Sequence, residues 1–337
     1  MSTSVMKAAI LESHGTPLRL THVLRPQPAR GEVLVRIAAS GVNPLDIKIF
    51  DGAAAHARHA PPAILGIDMA GTVEAVGTGV TRYRQGDELY GMTGGVGGHQ
   101  GSLAEFAAVD ADLLALKPAN LSMREAAALP LVFITGWEGL VDRAAVAAGW
   151  KVLVHGGGGG VGHVTIQIAR VFGAEVFATD SEAKRADIEQ LGATFIDHRA
   201  EPVEDYVKRY TGGVGFDLVY DTVGSAALDA GFQAVRRFGH VVSCLGWGTH
   251  ALAPLSFRAA TYSGVFTLLP LLTGEGRAHH GDILREATRL VEAGKVLPRL
   301  DAGRFTLENV DKAYRAIRER SARGKLVVDV VVTNGSS

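Results

Sequence analysis

The chain has 337 residues, a length that favours two domains. Lys and Arg number 34 against 35 Asp and Glu, so the net charge of −1 leaves no basic excess for general binding to nucleic acid or an anionic membrane. Apolar residues make up 47% and charged ones 20%, enough to fill a packed core. Glycine is in excess, with 42 residues against a usual share of about 7%; with no three-residue repeat, these must serve turns or close backbone approaches. One cysteine, Cys244, rules out an intrachain disulfide framework and a cysteine-rich zinc lobe, and fits a reducing compartment. Met1–Leu11 carries one Lys and no apolar run long enough for a signal peptide. Ala126–Ile134, the most apolar stretch, is too short to span a bilayer and contains Pro130. The expectation is a cytoplasmic protein without membrane contact.

In chain order, Val5–Leu11, Glu32–Ala39 and Ile67–Val76 read as strands, with Gly71, Gly77, Gly79 and Gly86 punctuating a compact β region. No long helix is expected before about residue 122. The middle alternates: strand Lys151–His155, helix Val161–Phe172, strand Glu175–Thr179, helix Glu182–Leu191. Then come strand Phe216–Tyr220, helix Ala226–Arg236 and strand Val241–Leu245. This alternation predicts βαβ units around a parallel sheet. Ile283, Leu284, Ala287, Leu290 and Val291 follow helical spacing; a second late helix covers Leu307–Arg318 and a last strand Lys325–Val332. That strand comes late enough to return to the first domain. Asn334–Ser337 reads as disordered.

The strongest local signal is the apolar strand ending at His155, followed by Gly156–Gly160, Val161 and Gly162. Gly157, Gly159 and Gly162 satisfy G-x-G-x-x-G between a strand and a helix. There the first glycine allows the turn, the second a close approach to a pyrophosphate, and the third helix–strand packing. The open helix N-terminus favours negative charge. Asp180, eighteen residues beyond Gly162, is placed to read a ribose hydroxyl and favour NAD. Ser181, Lys184 and Arg185 would suit a 2′-phosphate and favour NADP, and Asp180 as a helix cap is the plainer alternative. NADH and NADPH both remain open.

The ordered segments Gly41–Asp46, Gly66–Val73, Gly86–Gly91, Leu129–Trp137, the glycine loop and Asp217–Gly224 resemble the medium-chain dehydrogenase/reductase superfamily. Within it the match is to the zinc-free quinone oxidoreductase branch that includes zeta-crystallin. The resemblance implies an α/β chain with a GroES-like β catalytic domain from both chain ends (1–127 and 265–337). It implies a Rossmann doubly wound parallel-sheet domain between them (128–264), with NADPH or NADH in the interdomain cleft. Zinc-dependent relatives place a cysteine ligand where this chain has Asn43, and a His-Glu pair where it has Ile67 and Asp68. No metal is therefore expected.

The resemblance puts Asn43 beside the nicotinamide, although Asn43-Pro44-x-Asp46 also reads as a helix N-terminus with Asn43 as cap. It suggests cofactor contacts for Thr135, Gly157, Gly158, Gly159, Gly160, Val161, Gly162, Asp180, Ser181, Lys184, His198, Gly224, Gly246 and Lys325. For Thr135 a bond to its own helix backbone is the alternative, for His198 a solvated loop, and for Lys325 simple solvation. Asn43, Asp46, His56, His59, His99 and Phe266 are expected to border the substrate. Cys244 reads as a small apolar residue, and His279-His280 as solvated surface.

The implied chemistry is hydride delivery from NAD(P)H to a quinone or an α,β-unsaturated carbonyl, with no side chain singled out as acid or base. The alternatives are a zinc-independent dehydrogenase of another carbonyl or alcohol, and a non-catalytic, crystallin-like NAD(P)H-binding protein. A homodimer is expected through Tyr262–Leu269 extending the Rossmann sheet. No nucleic-acid partner is expected.

Overall fold

The structure, a computed structural model, describes residues 4–331. Val332 and the Asn334–Ser337 tail lie outside the described residues. The chain forms two units, residues 1–131 with 268–337, and residues 132–267.

The first unit opens with strands β1 (Val5–Leu11), β2 (Arg19–Leu24), β3 (Glu32–Gly41), β4 (Ala63–Ile64), β5 (Asp68–Val76), β6 (Glu88–Met92), β7 (Phe106–Asp110) and β8 (Leu114–Leu116). The only α-helix before residue 122 among the described residues is the seven-residue Pro44–Phe50. Apolar alternation in β3 buries Val33, Val35 and Ile37, while the opposite face buries Leu34 and Ser40 and exposes Arg36. Gly41, at the end of β3, permits a close approach: a Cβ there would lie 2.1 Å from the Ala127 carbonyl oxygen.

The second unit holds β9 (Lys151–His155), β10 (Glu175–Asp180), β11 (Thr194–Asp197), β12 (Phe216–Asp221), β13 (Val235–Ser243) and β14 (Thr261–Gly264). All neighbours pair in parallel, in the order β11-β10-β9-β12-β13-β14. This is the doubly wound 3-2-1-4-5-6 arrangement, and its order reverses between β9 and β12. Val152, Leu153 and Val154 are fully buried because helices cover both sheet faces. Phe177, Phe216, Phe232 and Tyr206 fill a core cluster with Leu153.

The chain then returns to the first unit. Helix Arg277–Glu292 buries Ile283, Leu284, Ala287, Leu290 and Val291. Strands β15 (Phe305–Thr306) and β16 (Val327–Asp329) complete a seven-stranded sheet in the order β15-β16-β3-β5-β6-β8, with β7 on β3. β1 lies between β2 and β4 in a second sheet.

Several expectations need correction. His280 is not solvated: it shares the inward stripe of its helix with Ile283 and Leu284 and is 1% exposed. The final strand is shorter than Lys325–Val332, and Lys325 meets Leu300 only in an isolated bridge. Of Tyr262–Leu269, only residues up to Gly264 lie in a strand; Leu269 begins a short helix.

Leu153→Ala is expected to destabilise the second unit by about 2–5 kcal/mol, the usual range for a buried leucine. Denaturant unfolding measures this, and a loss below about 1 kcal/mol would contradict the central packing of this strand.

Candidate functional site

At the carboxyl end of β9 the chain turns sharply into helix Gly160–Val171. Gly156 makes the turn at φ +75°. Two positions beyond it have no room for a side chain: a Cβ on Gly157 would lie 2.6 Å from Ala178 Cβ, and one on Gly162 2.1 Å from the Gly156 carbonyl oxygen. The end of β10 holds this loop. The Thr179 carbonyl accepts the amides of Gly156 (2.9 Å) and Gly157 (3.2 Å). The Asp180 carboxylate accepts Gly158 N–H at 3.0 Å and Ser181 N–H at 2.8 Å. Gly159 N–H returns to the Gly156 carbonyl.

The first helical bond runs from His163 N–H to the Gly159 carbonyl. The amides of Gly160, Val161 and Gly162 therefore have no acceptor inside the helix. They stand at the positive end of a twelve-residue helix, a geometry that suits a pyrophosphate. Gly157, Gly158 and Gly159 contribute the missing side chains rather than free donors.

Asp180 precedes the Ser181 cap position, so the cap alternative belongs to Ser181, which makes no side-chain cap bond. A Cβ on Gly158 would lie 2.9 Å from Lys184 Cβ, so the Lys184 stem runs over the loop. Arg185 is engaged by Glu182 (2.7 Å) and Glu189 (3.2 Å). His198 is exposed, with its amide 3.4 Å from the Asp180 carbonyl.

Across the order reversal, buried Asp221 accepts Ser243 Oγ–H at 2.6 Å and the Val223 and Gly224 amides. The Gly224 N–H is thus used by its own strand end. A Cβ on Gly246 would lie 2.1 Å from the Tyr262 hydroxyl. Burial, with Asp221 adding to it, pushes the Cys244 thiol up to about 12, so it is no thiolate nucleophile. Thr135 Oγ1 lies 3.4 Å from Thr267 Oγ1, and the Thr135 carbonyl accepts the Tyr220 hydroxyl. Phe266 packs edge-on against Trp247.

One residue to which the sequence assigned no role is His155. It pairs with the Thr179 hydroxyl at 2.8 Å, and burial lowers its pKa to about 4. A polar residue closing an otherwise apolar strand was the available signal.

The first unit contains a buried ionic cluster. β3 ends between β16 and β5, with Gly41 opposite both Val327 and Asp68. The next residues, Val42 and Asn43, meet Lys325. Its Nζ donates to the Val42 carbonyl at 3.0 Å and to Asn43 Oδ1. Asn43 Nδ2 donates to Asp68 Oδ2 at 2.9 Å, and Leu131 N–H donates to Asp68 Oδ1 at 2.9 Å. Asp46 Oδ2 accepts the Asn43 backbone N–H at 2.7 Å.

Asn43 stands at the cap position of helix Pro44–Phe50 but makes no side-chain cap bond. Its amide is instead spent on Lys325 and Asp68. Lys325, 6% exposed, is not solvated. Burial opposes all three charges, raising Asp46 to about 7 and Asp68 to about 6, and lowering Lys325.

Of the histidines, His56 is exposed. His59 is buried, with Nε2 3.2 Å from the Ile64 carbonyl. His99 Nε2 lies 3.1 Å from the Leu271 carbonyl and 3.0 Å from Arg277. Among the described residues, no group of three or more His, Cys, Asp or Glu is arranged to hold a metal ion. Nor is any described helix long and apolar enough to cross a membrane.

Residues 29–119 match the alcohol dehydrogenase GroES-like domain, and residues 191–328 the family described as zinc-binding dehydrogenase. The chain is 36% identical over 336 residues to the 2-methylene-furan-3-one reductase of Solanum lycopersicum, covering 96% of this chain and 79% of that one. The chain belongs to the medium-chain dehydrogenase/reductase superfamily. Its zeta-crystallin-like branch is also represented by the NADPH-dependent alkenal/one oxidoreductase, chloroplastic, of Arabidopsis thaliana. That protein is 35% identical, with 96% of this chain and 79% of that one covered. Among solved structures of the superfamily, an alcohol dehydrogenase superfamily protein from Novosphingobium aromaticivorans is 58% identical. It superposes with a TM-score of 0.95 over 97% of this chain and 100% of that one.

The raised carboxyl groups fix the sign of a pH dependence. Between their ordinary and folded pKa values the folded chain binds more protons than the unfolded one, so stability falls as pH rises. The contribution of Asp46 is complete at low pH and lost as pH passes about 7. Asp46→Asn keeps an acceptor for the Asn43 N–H and removes the titration. Its stability relative to wild type is expected to improve from about pH 5 to about pH 8 in denaturant unfolding. A difference that stays flat would show that Asp46 does not hold this proton.

Proposed function

We propose that this protein is a reductase that takes hydride from NADPH or NADH and delivers it to α,β-unsaturated carbonyls, with quinones as further acceptors. The observation that carries the reading is the set of three amides at Gly160, Val161 and Gly162, left without helical acceptors over a loop packed too closely for side chains at Gly157 and Gly162. Its support is membership of a branch whose relatives are named for alkenal, enone and furanone reduction.

Zinc is not part of the proposed reaction. The residues do not fit it: Asn43 and Ile67 stand where ligands would be, the Asn43 amide is already used, and an ammonium occupies the same cluster. The residues do fit a dinucleotide. The open amides would take the pyrophosphate, and Asp180, with lone pairs still free on its carboxylate, would accept a ribose hydroxyl. When bound, the nicotinamide supplies the hydride, and the chain supplies orientation and exclusion of water. No side chain is assigned to the balancing proton, which water provides.

The choice of cofactor is proposed to rest on Asp180 against Lys184. A fixed carboxylate repels a 2′-phosphate, while the ammonium carried over the loop attracts it. Asp180→Asn keeps the acceptor for Gly158 and is expected to raise the NADPH/NADH ratio of kcat/KM on the order of tenfold. An unchanged ratio would assign the choice elsewhere.

A cytoplasmic location, consistent with the lone cysteine, and a homodimer complete the proposal. β14 is an edge strand, with exposed Tyr262 within it and Phe257 and Phe238 near it, and a second copy would extend the sheet there. Sedimentation showing a single-chain mass at micromolar concentration would overturn the dimer. The activity is tested by a panel of enones, alkenals, quinones and alcohols with both cofactors. Enone-dependent loss of the reduced cofactor's absorbance is expected. Cofactor binding without turnover of any acceptor would sink the proposal.

A further inference from the structure

We infer that Lys325 and Asp68 are positioning residues that act through Asn43, holding its amide in a single orientation. The inference rests on the proposed function only for what Asn43 meets. Its structural basis lies within one unit.

An amide has two nearly isosteric ends, and burial alone does not choose between them. Here both neighbours choose. The ammonium of Lys325 has only protons to offer, so it takes Asn43 Oδ1. The acceptor Asp68 Oδ2 takes Nδ2 at 2.9 Å. A flipped amide would set NH₂ against the ammonium and oxygen against the carboxylate, losing two charge-assisted bonds at once.

The neighbours are themselves held. Lys325 N–H donates to the Arg299 carbonyl at 2.8 Å, and Asp301 N–H to the Lys325 carbonyl at 3.0 Å. Asp68 has its second carboxylate oxygen on Leu131 N–H, and its carbonyl accepts Ser102 Oγ–H at 2.8 Å. Asn43 N–H is fixed by Asp46. The amide group carries two N–H bonds and Asp68 takes one, so the same arrangement fixes the direction of the second. In the proposed function, that second N–H is the group left for a ligand.

The test is a pair of double-mutant cycles, Lys325→Met and Asp68→Asn, each with and without Asn43→Ala. They are read in kcat with an enone and in Kd for the reduced cofactor. Each single variant is expected to lower kcat about 10- to 100-fold, the size that follows loss of orientation of a reacting partner. Neither should lower it further once Asn43 is alanine. Lys325→Arg, which keeps a cationic donor, should recover part of the loss. Equal losses with and without Asn43, or no loss from either variant, overturn the inference. Should Lys325→Met fail to fold, the Asp68→Asn cycle decides by the same criterion, since it removes a buried charge and keeps the shape. Should wild type bind cofactor but turn over no acceptor, the proposed function fails while the Kd cycle still decides the orientation. Failure of wild type to bind cofactor overturns both.

Discussion

The glycine loop depends on support from the side. A run of five glycines has almost no conformational preference of its own, and an isolated one would sample many turns. Here the neighbouring strand removes that freedom: the Thr179 carbonyl takes two loop amides and the Asp180 carboxylate a third. His155 in turn holds the Thr179 hydroxyl. The donors of the loop are thereby divided into those that define its shape and those that remain for a ligand, and the division follows from parallel pairing of β9 with β10.

The other unit solves a harder problem. Two carboxylates and an ammonium lie in a core where desolvation disfavours each, and the pKa directions of all three show that burial outweighs their mutual attraction. A core built only for stability would place apolar residues there. What the ions add is direction, because every hydrogen bond to the Asn43 side chain is made by a group that can only donate or only accept.

The architecture was largely legible. Alternation of apolar strands with helices gives the doubly wound sheet, and the late strand returns to the first unit as its position suggested, where it pairs with β3. The short strands were not legible: β4, β6, β7 and β8 owe their pairing to neighbours distant in sequence rather than to local patterning. The helix expected over Glu182–Leu191 begins instead as a 3₁₀ turn, with regular helix only over Arg185–Gln190. In the site, the loop glycines could be named because their constraint is local. The Asn43 cap position could be anticipated, but not that its amide would be held by Lys325 and Asp68. Lys325 read equally well as a solvated residue, because its contact spans 282 positions and no local pattern reports it.

That span bears on how the chain acquires its structure. Residues 132–267 contain their own sheet and core and need nothing from the terminal segments to pair their strands. The first unit differs: β3 acquires β16, and Asp68 acquires a nearby cation, only after Lys325–Asp329 have been synthesised. Until then two carboxylates destined for the core have no counter-ion and favour staying hydrated. The placement of one lysine therefore ties the completion of the first unit to a segment 282 positions downstream of Asn43, while residues 132–267 carry their own sheet.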